Sequence, residues 1–292
     1  VKKEKNYKFM NEETLRHFLR DVRKAGWRSR LEFAMHGEPS MHPDFIGMIR
    51  ACREEAPRNQ IMMTSNGSGF LRKPGPLANV KALFEVGLNI LALDDYKDVG
   101  FVPKIREAIL DKIPEIKFYE YPSQHEGNPH QRRPRSTKMV SFVADIEAAT
   151  SGTHSVLNNH AGCGLPPLEK PWVGVQCAKP FREIGVRWDG NVAACCVDWR
   201  GVVKCGNVNE TSIVDIWQGN TFGALREKLY AGERDVGPCK GCDHKTYRNG
   251  LLPDNSGKAK LHRPDAQTLA DLKSAMSGKS YTTPVLRPWE KK

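Results

Sequence analysis

A chain of 292 residues with 39% hydrophobic content supports one large domain, or a domain with a smaller appendage, and needs no disulfide staples. The net charge of +11 favours an anionic partner or substrate, yet the basic runs (Lys2 to Lys8, His130 to Arg135 and the tail from Lys258) do not interleave with aromatics as a single-strand nucleic-acid platform would. No apolar stretch reaches the length of a membrane span and no apolar run follows the opening VKKEKNYKF, so neither a membrane protein nor a secreted one is expected, and a cytoplasmic location is.

Taken in order, Asn11 caps a helix through Leu15, Phe18, Leu19 and Val22 that Gly26 ends. Leu31 to Met35 reads as a short strand stopping at His36-Gly37-Glu38-Pro39, and a helix follows from Pro43 to Glu55. Ile61-Met62-Met63 is the next strand, ending at Thr64-Ser65-Asn66-Gly67, with a helix from Pro76 to Val86. Leu88 to Leu93 is a third strand, ending at Asp94-Asp95, and helix 101–111 and strand 116–121 repeat the unit. Strand, polar loop and helix thus recur about every 25 to 30 residues, the rhythm of parallel β/α architecture, whose active groups sit at the C-terminal strand ends. Glu38, Asn66 and Asp94 hold those places in three successive units; each alone could be a turn former, but three in register favour a site.

Residues 122–136 read as a loop, 137–143 as a further strand and 154–167 as loop again, with Pro166, Pro167 and Pro171 at a domain joint. Beyond it lies the richest stretch. Phe181 to Cys196 reads as a hairpin turning at Asp189-Gly190-Asn191, with Cys177 before it and Cys195 at its end. Cys239 and Cys242 form a C-x-x-C, which places two thiols on one tight loop. Four thiolates from these two sources suit an iron–sulfur cluster or a structural zinc, and spacing does not choose between them. Inert buried thiols and disulfides are the weaker readings. Ile213, Ile216, Trp217, Phe222, Leu225 and Leu229 read as helix packing, and residues 246–292 as a polar extension with a short helix over 265–276.

The stretches MHGEPSMHP (35–43) and TSNG (64–67) together resemble the radical S-adenosylmethionine enzymes. Residues 177–242 resemble that family's auxiliary-cluster module of the SPASM or twitch kind. The carriers are the C-x12-G-x4-C of Cys177, Gly190 and Cys195, the Gly206-Asn207-Val208 and Ser212-Ile213-x-x-Ile216-Trp217 stretches, and the closing C-x-x-C. The resemblance covers residues 8–245. It implies an α/β fold, a partial (β/α)6 TIM-like barrel without its first strand, followed by a small Cys-rich hairpin-plus-helix module. The implied domains are 1–165, 172–245 and an extension 246–292.

Carried over residue by residue, the resemblance implies that Glu38 meets the amino group of S-adenosyl-L-methionine, with Gly37 and Pro39 shaping the approach and Ser65, Asn66 and, more weakly, Asp94 nearby. It implies that Cys177, Cys195, Cys239 and Cys242 ligate one auxiliary [4Fe-4S] cluster. A full SPASM module has seven cysteines; none follows Cys242, which favours the one-cluster twitch form. Cys196, directly after a ligand in a strand, is expected on the opposite face as a packed thiol, and Cys163 and Cys205 are not expected to be ligands. His36, Asp94 and Asp198 are the candidates for a helping base.

The family's C-x-x-x-C-x-x-C, which holds its catalytic [4Fe-4S] cluster, is absent, and the first cysteine is Cys52. Two expectations follow: an N-terminally truncated oxidoreductase or peptide-modifying enzyme, or a non-catalytic iron–sulfur or substrate-binding protein of that descent. A zinc-stabilised scaffold is a third. The expected partners are a peptide, protein or small-molecule substrate and a reducing donor such as flavodoxin or ferredoxin, without membrane or nucleic acid.

Overall fold

The computed structural model describes residues 8–35, 37–96, 100–121, 136–143, 169, 172–244, 252–253 and 259–260. His36, Cys163, the loops at 122–135 and 154–167 and the helix expected over 265–276 lie outside them. The chain divides into two compact units, residues 22–157 and residues 1–21 with 158–292.

The first helix, α1 (Glu12–Lys24), starts where Asn11 Oδ1 accepts the Thr14 N–H at 2.7 Å, with Glu12 and Glu13 in its first turn and Arg23 and Lys24 in its last. Leu15, Leu19 and Val22 form its buried stripe. The unit at 22–157 then alternates β1 (Leu31–Phe33), α2 (Phe45–Glu55), β2 (Ile61–Ser65), α3 (Pro76–Glu85), β3 (Ile90–Asp94), α4 (Phe101–Ile109), β4 (Lys117–Tyr121) and β5 (Met139–Val143). Each expected element is present, with ends moved by one or two residues. Strand β1 stops at Phe33 rather than Met35, and Met35 takes a positive φ of 75°. Asp44, not Pro43, caps α2, accepting the Gly47 N–H at 2.8 Å.

All five strands are parallel, in the order β1-β2-β3-β5-β4. The 139–143 strand therefore sits between β3 and β4. A simple succession of β/α units would have put β4 beside β3. Strands β2, β3 and β5 are buried along nearly their whole length, as inner strands of a parallel sheet must be. Alternation and register assign two faces. One carries Ile61, Met63, Leu91, Leu93, Val140 and Phe142. The other carries Glu32, Met62, Thr64, Ile90, Ala92, Asp94, Met139 and Ser141, with Met62, Ile90, Ala92 and Met139 packed as a cluster against Tyr119. Apolar residues fill the lower part of this second face, and Thr64 and Asp94 stand at its C-terminal end.

In the other unit, α5 (Lys179–Arg182) leads into a three-stranded antiparallel sheet, β6 (Gly185–Val186), β7 (Asn191–Ala193) and β8 (Lys204–Asn207), followed by α6 (Ile213–Gln218) and α7 (Asn220–Tyr230). The hairpin turns at Gly190 (φ 82°) as expected, and a Cβ there would meet Asn209 Nδ2 at 2.4 Å and Asn207 Oδ1 at 2.6 Å. That close approach docks the turn on the Gly206-Asn207-Val208 stretch, where Val208 N donates to Gly190 O at 2.9 Å. Ser212 caps α6, its Oγ accepting from Asp215 N at 3.1 Å and donating to Asp215 Oδ2 at 2.8 Å. Helix α1 joins this unit: Thr14 Oγ1 donates to Asn209 Oδ1 at 2.9 Å, and Ile213 N donates to Asp21 Oδ2 at 3.4 Å. The short strands Leu252–Pro253 and Ala259–Lys260 pair with each other.

Candidate cofactor and cluster sites

The loop after β1 and the loop after β2 meet on one carboxylate. Glu38 Oε1 accepts from Ser40 N at 2.9 Å, Ser40 Oγ at 2.6 Å and Ser65 Oγ at 2.5 Å, and Oε2 accepts from Asn66 N at 2.7 Å. Glu38 thereby caps a short 3-10 turn (Pro39–Met41) and ties the two strand ends together. The lock continues through Ser65 Oγ, which accepts from Gly67 N at 2.9 Å, and Ser40 Oγ, which accepts from Gly69 N at 2.9 Å. Only glycine fits the last position, because a Cβ on Gly69 would lie 1.7 Å from Ser40 O.

The GEP and TSNG stretches are thus brought together, with roles distributed unevenly. Ser65 is 2% exposed and its hydroxyl is spent inside the lock, so it supports Glu38 and is closed to a ligand. Among the described residues, Glu38 Oε2 accepts one hydrogen bond and keeps a lone pair. The Asn66 amide oxygen accepts from Ser68 N at 2.9 Å, which leaves its NH2 group to donate. Gly37 borders open space, since a Cβ there would meet no atom within 4 Å.

Asp94, at the end of β3, has a different character. Burial, then the charges of Glu38 and Glu32, push its carboxyl up from 3.8 to about 6. Burial, Asp94 and Glu38 also raise Tyr96. Two residues before Asp94's neighbour Val143, the buried Ser141 hydroxyl has no hydrogen-bond partner among the described residues. Two carboxylates at the strand ends, Asp94 and Glu38, with Glu32 and the unpartnered Ser141 hydroxyl further down the sheet, suit a ligand carrying positive charge.

The second site lies in the other unit. Cys177, Ala194, Leu225 and Leu229 form a buried cluster with Val203, Cys205, Val236 and Cys239 against it. Cys239 lies in a 3-10 turn (Gly237–Gly241), and Cys242 follows with its N–H donating to Cys239 O at 3.3 Å. Burial, then the neighbouring Cys177 and Cys242, push the Cys239 thiol up to about 12, and burial raises Cys242. The Cys242 sulfur accepts the His244 N–H at 3.4 Å, a bond suited to a thiolate.

Cys195 and Cys196 stand elsewhere in this unit. Strand β7 ends at Ala193, so both lie in a turn and strand alternation does not apply to them. The expectation that Cys196 packs passively on an opposite strand face is corrected accordingly. Its sulfur accepts from the buried Lys179 Nζ at 2.9 Å, and its N–H donates to Glu183 Oε1 at 3.0 Å. Cys195 is pushed well up by burial, then by Glu183 and Cys196. The structure therefore brings Cys177, Cys239 and Cys242 into mutual influence, adds Cys205 to the same packing cluster and leaves Cys195 beside Cys196. Among the described residues, no three His, Cys, Asp or Glu side chains are grouped closely enough to hold a single metal ion. None of the seven described cysteines is in a disulfide.

The sequence analysis missed the clamp around these thiols. Arg234, 2% exposed, donates to Val175 O at 3.1 Å, Gln176 O at 3.5 Å and His244 O at 3.3 Å. It fastens the segment before Cys177 to the segment after Cys242. Asp198, 1% exposed, accepts from Val202 N at 2.9 Å and Val203 N at 3.1 Å and fixes the loop leading to Cys205. Each oxygen takes one of these bonds and the side chain is shut off from solvent, so Asp198 serves as a loop anchor.

Residues 177–243 match the family model described as SPASM, an iron–sulfur cluster-binding domain. This region is a SPASM module. Two solved structures share the fold over most of the chain. "BtrN in complex with AdoMet and 2-DOIA" superposes with a TM-score of 0.58 at 21% identity, covering 84% of each chain. BtrN in an open conformation gives 0.54 at 18% identity, covering 80% of each chain. No curated protein sequence matches. The fold is therefore the partial parallel barrel with an auxiliary-cluster module that the sequence resemblance implies. The thiol set of the SPASM module fits an iron–sulfur cluster in donor chemistry: buried sulfurs outside any disulfide, whose thiolate forms burial and neighbouring thiols disfavour and a bound cation would favour. Among the described residues, no helix is long and apolar enough to cross a membrane.

Proposed function

We propose that residues 1–292 provide the S-adenosyl-L-methionine cradle and the auxiliary [4Fe-4S] cluster of a radical S-adenosylmethionine oxidoreductase acting on a small molecule or peptide. The observation that carries this is the SPASM match over 177–243 joined to the BtrN-like fold of the chain. Glu38, through the free lone pair of Oε2, and the Asn66 amide would hold the polar end of S-adenosylmethionine, with Gly37 leaving room for it. Asp94 would orient a second, positively charged group on the same strand-end face. Cys177, Cys195, Cys239 and Cys242 would hold the auxiliary cluster, with the Cys195 turn closing onto the other three. When bound, the clusters supply electron transfer: reductive cleavage of the sulfonium bond at one and acceptance of an electron at the other. Residues 1–292 contain no C-x-x-x-C-x-x-C, so the share of this chemistry assigned to them is binding, orientation and the auxiliary electron site. A reducing partner of the flavodoxin or ferredoxin class and a reducing, cytoplasmic setting belong to the same proposal, in keeping with the free thiols.

The test is anaerobic reconstitution with iron and sulfide, followed by metal and sulfide analysis of the wild type, Cys239→Ala, Cys195→Ala and Cys163→Ala. The expected result is a brown wild-type protein with iron and sulfide in the proportion of a [4Fe-4S] cluster, large iron loss in the first two variants and none in the third. Zinc in place of iron, or equal iron in all four proteins, overturns the assignment.

A further inference from the structure

The SPASM module buries three cations: Lys179, Arg226 and Arg234, at 5%, 4% and 2% exposure. Two are accounted for. Lys179 pairs with Glu183 at 3.2 Å, and Arg234, which has no carboxylate partner among the described residues, has its donors satisfied by the carbonyls of Val175, Gln176 and His244 and lends its charge directly to Cys239 and Cys242. Arg226, on α7, is different. Its Nε donates to Pro180 O at 2.9 Å and one Nη to Trp217 O at 2.7 Å, but its other Nη is buried with no hydrogen-bond partner among the described residues. No described carboxylate pairs with it. The one buried carboxylate in this part of the module, Asp198, is already satisfied by Val202 N and Val203 N. The guanidinium lies 4.0 Å from the Trp217 ring centroid and 4.8 Å from that of Phe222, which offsets part of the cost of burial but supplies no counter-charge. A buried charge without an ionic partner is expensive, so its retention calls for an anion.

The surroundings indicate where that anion belongs. Leu225 and Leu229, flanking Arg226 on α7, pack in the cluster that holds Cys177, Cys205 and Cys239, and Cys205, a thiol that burial pushes up to about 12, is the ionisable group coupled to Arg226. We propose that Arg226 is the built-in counter-charge of the auxiliary cluster, a positioning residue whose buried guanidinium stabilises the cluster's reduced, more negative state and so raises its reduction potential. This rests on the cluster reading above. Reduction adds one negative charge to a thiolate-ligated cluster, and a fixed cation in the low-dielectric interior favours the reduced form over the oxidised one. The surface charges of the module are screened by solvent and contribute much less.

The experiment is a redox titration of the reconstituted full chain, followed by EPR and visible absorbance, for the wild type, Arg226→Gln and Arg226→Lys, with iron and sulfide determined on each sample. Arg226→Gln is expected to favour the oxidised form about tenfold at a fixed potential, a fall of about 59 mV for one electron, while Arg226→Lys stays near the wild type. If Arg226→Gln cannot retain the cluster but Arg226→Lys can, the charge is needed to hold the cluster and the inference stands. It is overturned if Arg226→Gln loads fully at an unchanged potential, or if both variants lose iron alike, which would make Arg226 a plain structural support for Pro180 and Trp217. A wild-type chain that takes up no iron sinks the cluster reading and this inference with it, an outcome distinct from a loaded variant with no shift.

Discussion

Replacing Asp94 by Asn should stabilise the protein, and only above a definite pH. The Asp94 carboxyl is pushed from 3.8 to about 6 by burial and by Glu38 and Glu32. At about 1.36 kcal/mol for each pKa unit, that rise corresponds to a cost of about 3 kcal/mol for holding the ionised carboxylate in the folded protein. The sign follows from proton counting. Between 3.8 and about 6 the folded state binds more protons at Asp94 than the unfolded state, so stability falls as pH rises through this window. The full cost is present above the window and absent below it. Asn removes the charge at all pH values, and among the described residues it breaks no hydrogen bond, because nothing donates to the Asp94 carboxyl. Urea unfolding of ligand-free protein should therefore find Asp94→Asn more stable than the wild type by about 1 to 3 kcal/mol near pH 8, with the gap closing towards pH 4. The same variant should bind a cationic ligand more weakly, the usual exchange of stability against function at a strained site. A variant no more stable than the wild type at about pH 8, or a gap that does not change with pH, would show that Asp94 is not electrostatically strained.

Three further outcomes are expected. Gly69→Ala forces a Cβ to within 1.7 Å of Ser40 O, so the two strand-end loops must separate; calorimetry should report a loss of about 3 kcal/mol or more, and a change below about 1 kcal/mol would refute the close packing. Glu38→Gln turns an acceptor of four hydrogen bonds into a group that must donate from one end, leaving Asn66 N or the Ser40 and Ser65 donors without a partner. Equilibrium dialysis with S-adenosylmethionine should show at least about tenfold weaker binding, alongside a stability loss of about 2 kcal/mol; unchanged binding would remove Glu38 from the cradle. Arg234→Met cuts the fastening between the Cys177 and Cys242 segments, so the reconstituted protein should release iron to a chelator faster than the wild type, and an equal rate would mean the clamp is redundant.

Much of the local structure was readable in advance because short-range chemistry dictates it. Asn11, Gly26, the Asp189-Gly190-Asn191 turn and Ser212 each act on residues within a few positions, and each does what its type suggests. The position of β5 between β3 and β4 was not readable, because periodicity identifies a strand but not its neighbour. The meeting of Glu38 with Ser65 and Asn66 could be expected from two strand ends in adjacent units; that Ser65 is consumed in the lock could not. The buried arginines were not singled out, because their burial is set by tertiary packing. Arg226 did carry a signal: it stands four residues after Phe222 and three before Leu229, on the stripe that α7 buries. A cation on an apolar stripe is reason to look for its anion. Cys196 was misjudged because alternation was extended past Ala193, where the strand ends.

Two hydrogen bonds of α1 also bear on how the chain folds. Thr14 reaches Asn209 and Asp21 reaches Ile213, spanning sequence separations of 195 and 192 residues. The unit at 22–157 is continuous and can close as soon as it leaves the ribosome, whereas the SPASM-bearing unit needs both the first helix and residues made after 157. Such long closures are slow to form. Pulsed hydrogen exchange during refolding should find α1 protected together with α6 and after the parallel strands. Early protection of α1 would mean that it folds on a different partner first. The order has a practical side: cluster assembly cannot begin on a finished site until residues 158–243 have joined the first helix, so the thiols of the module reach their final places after the parallel unit has closed.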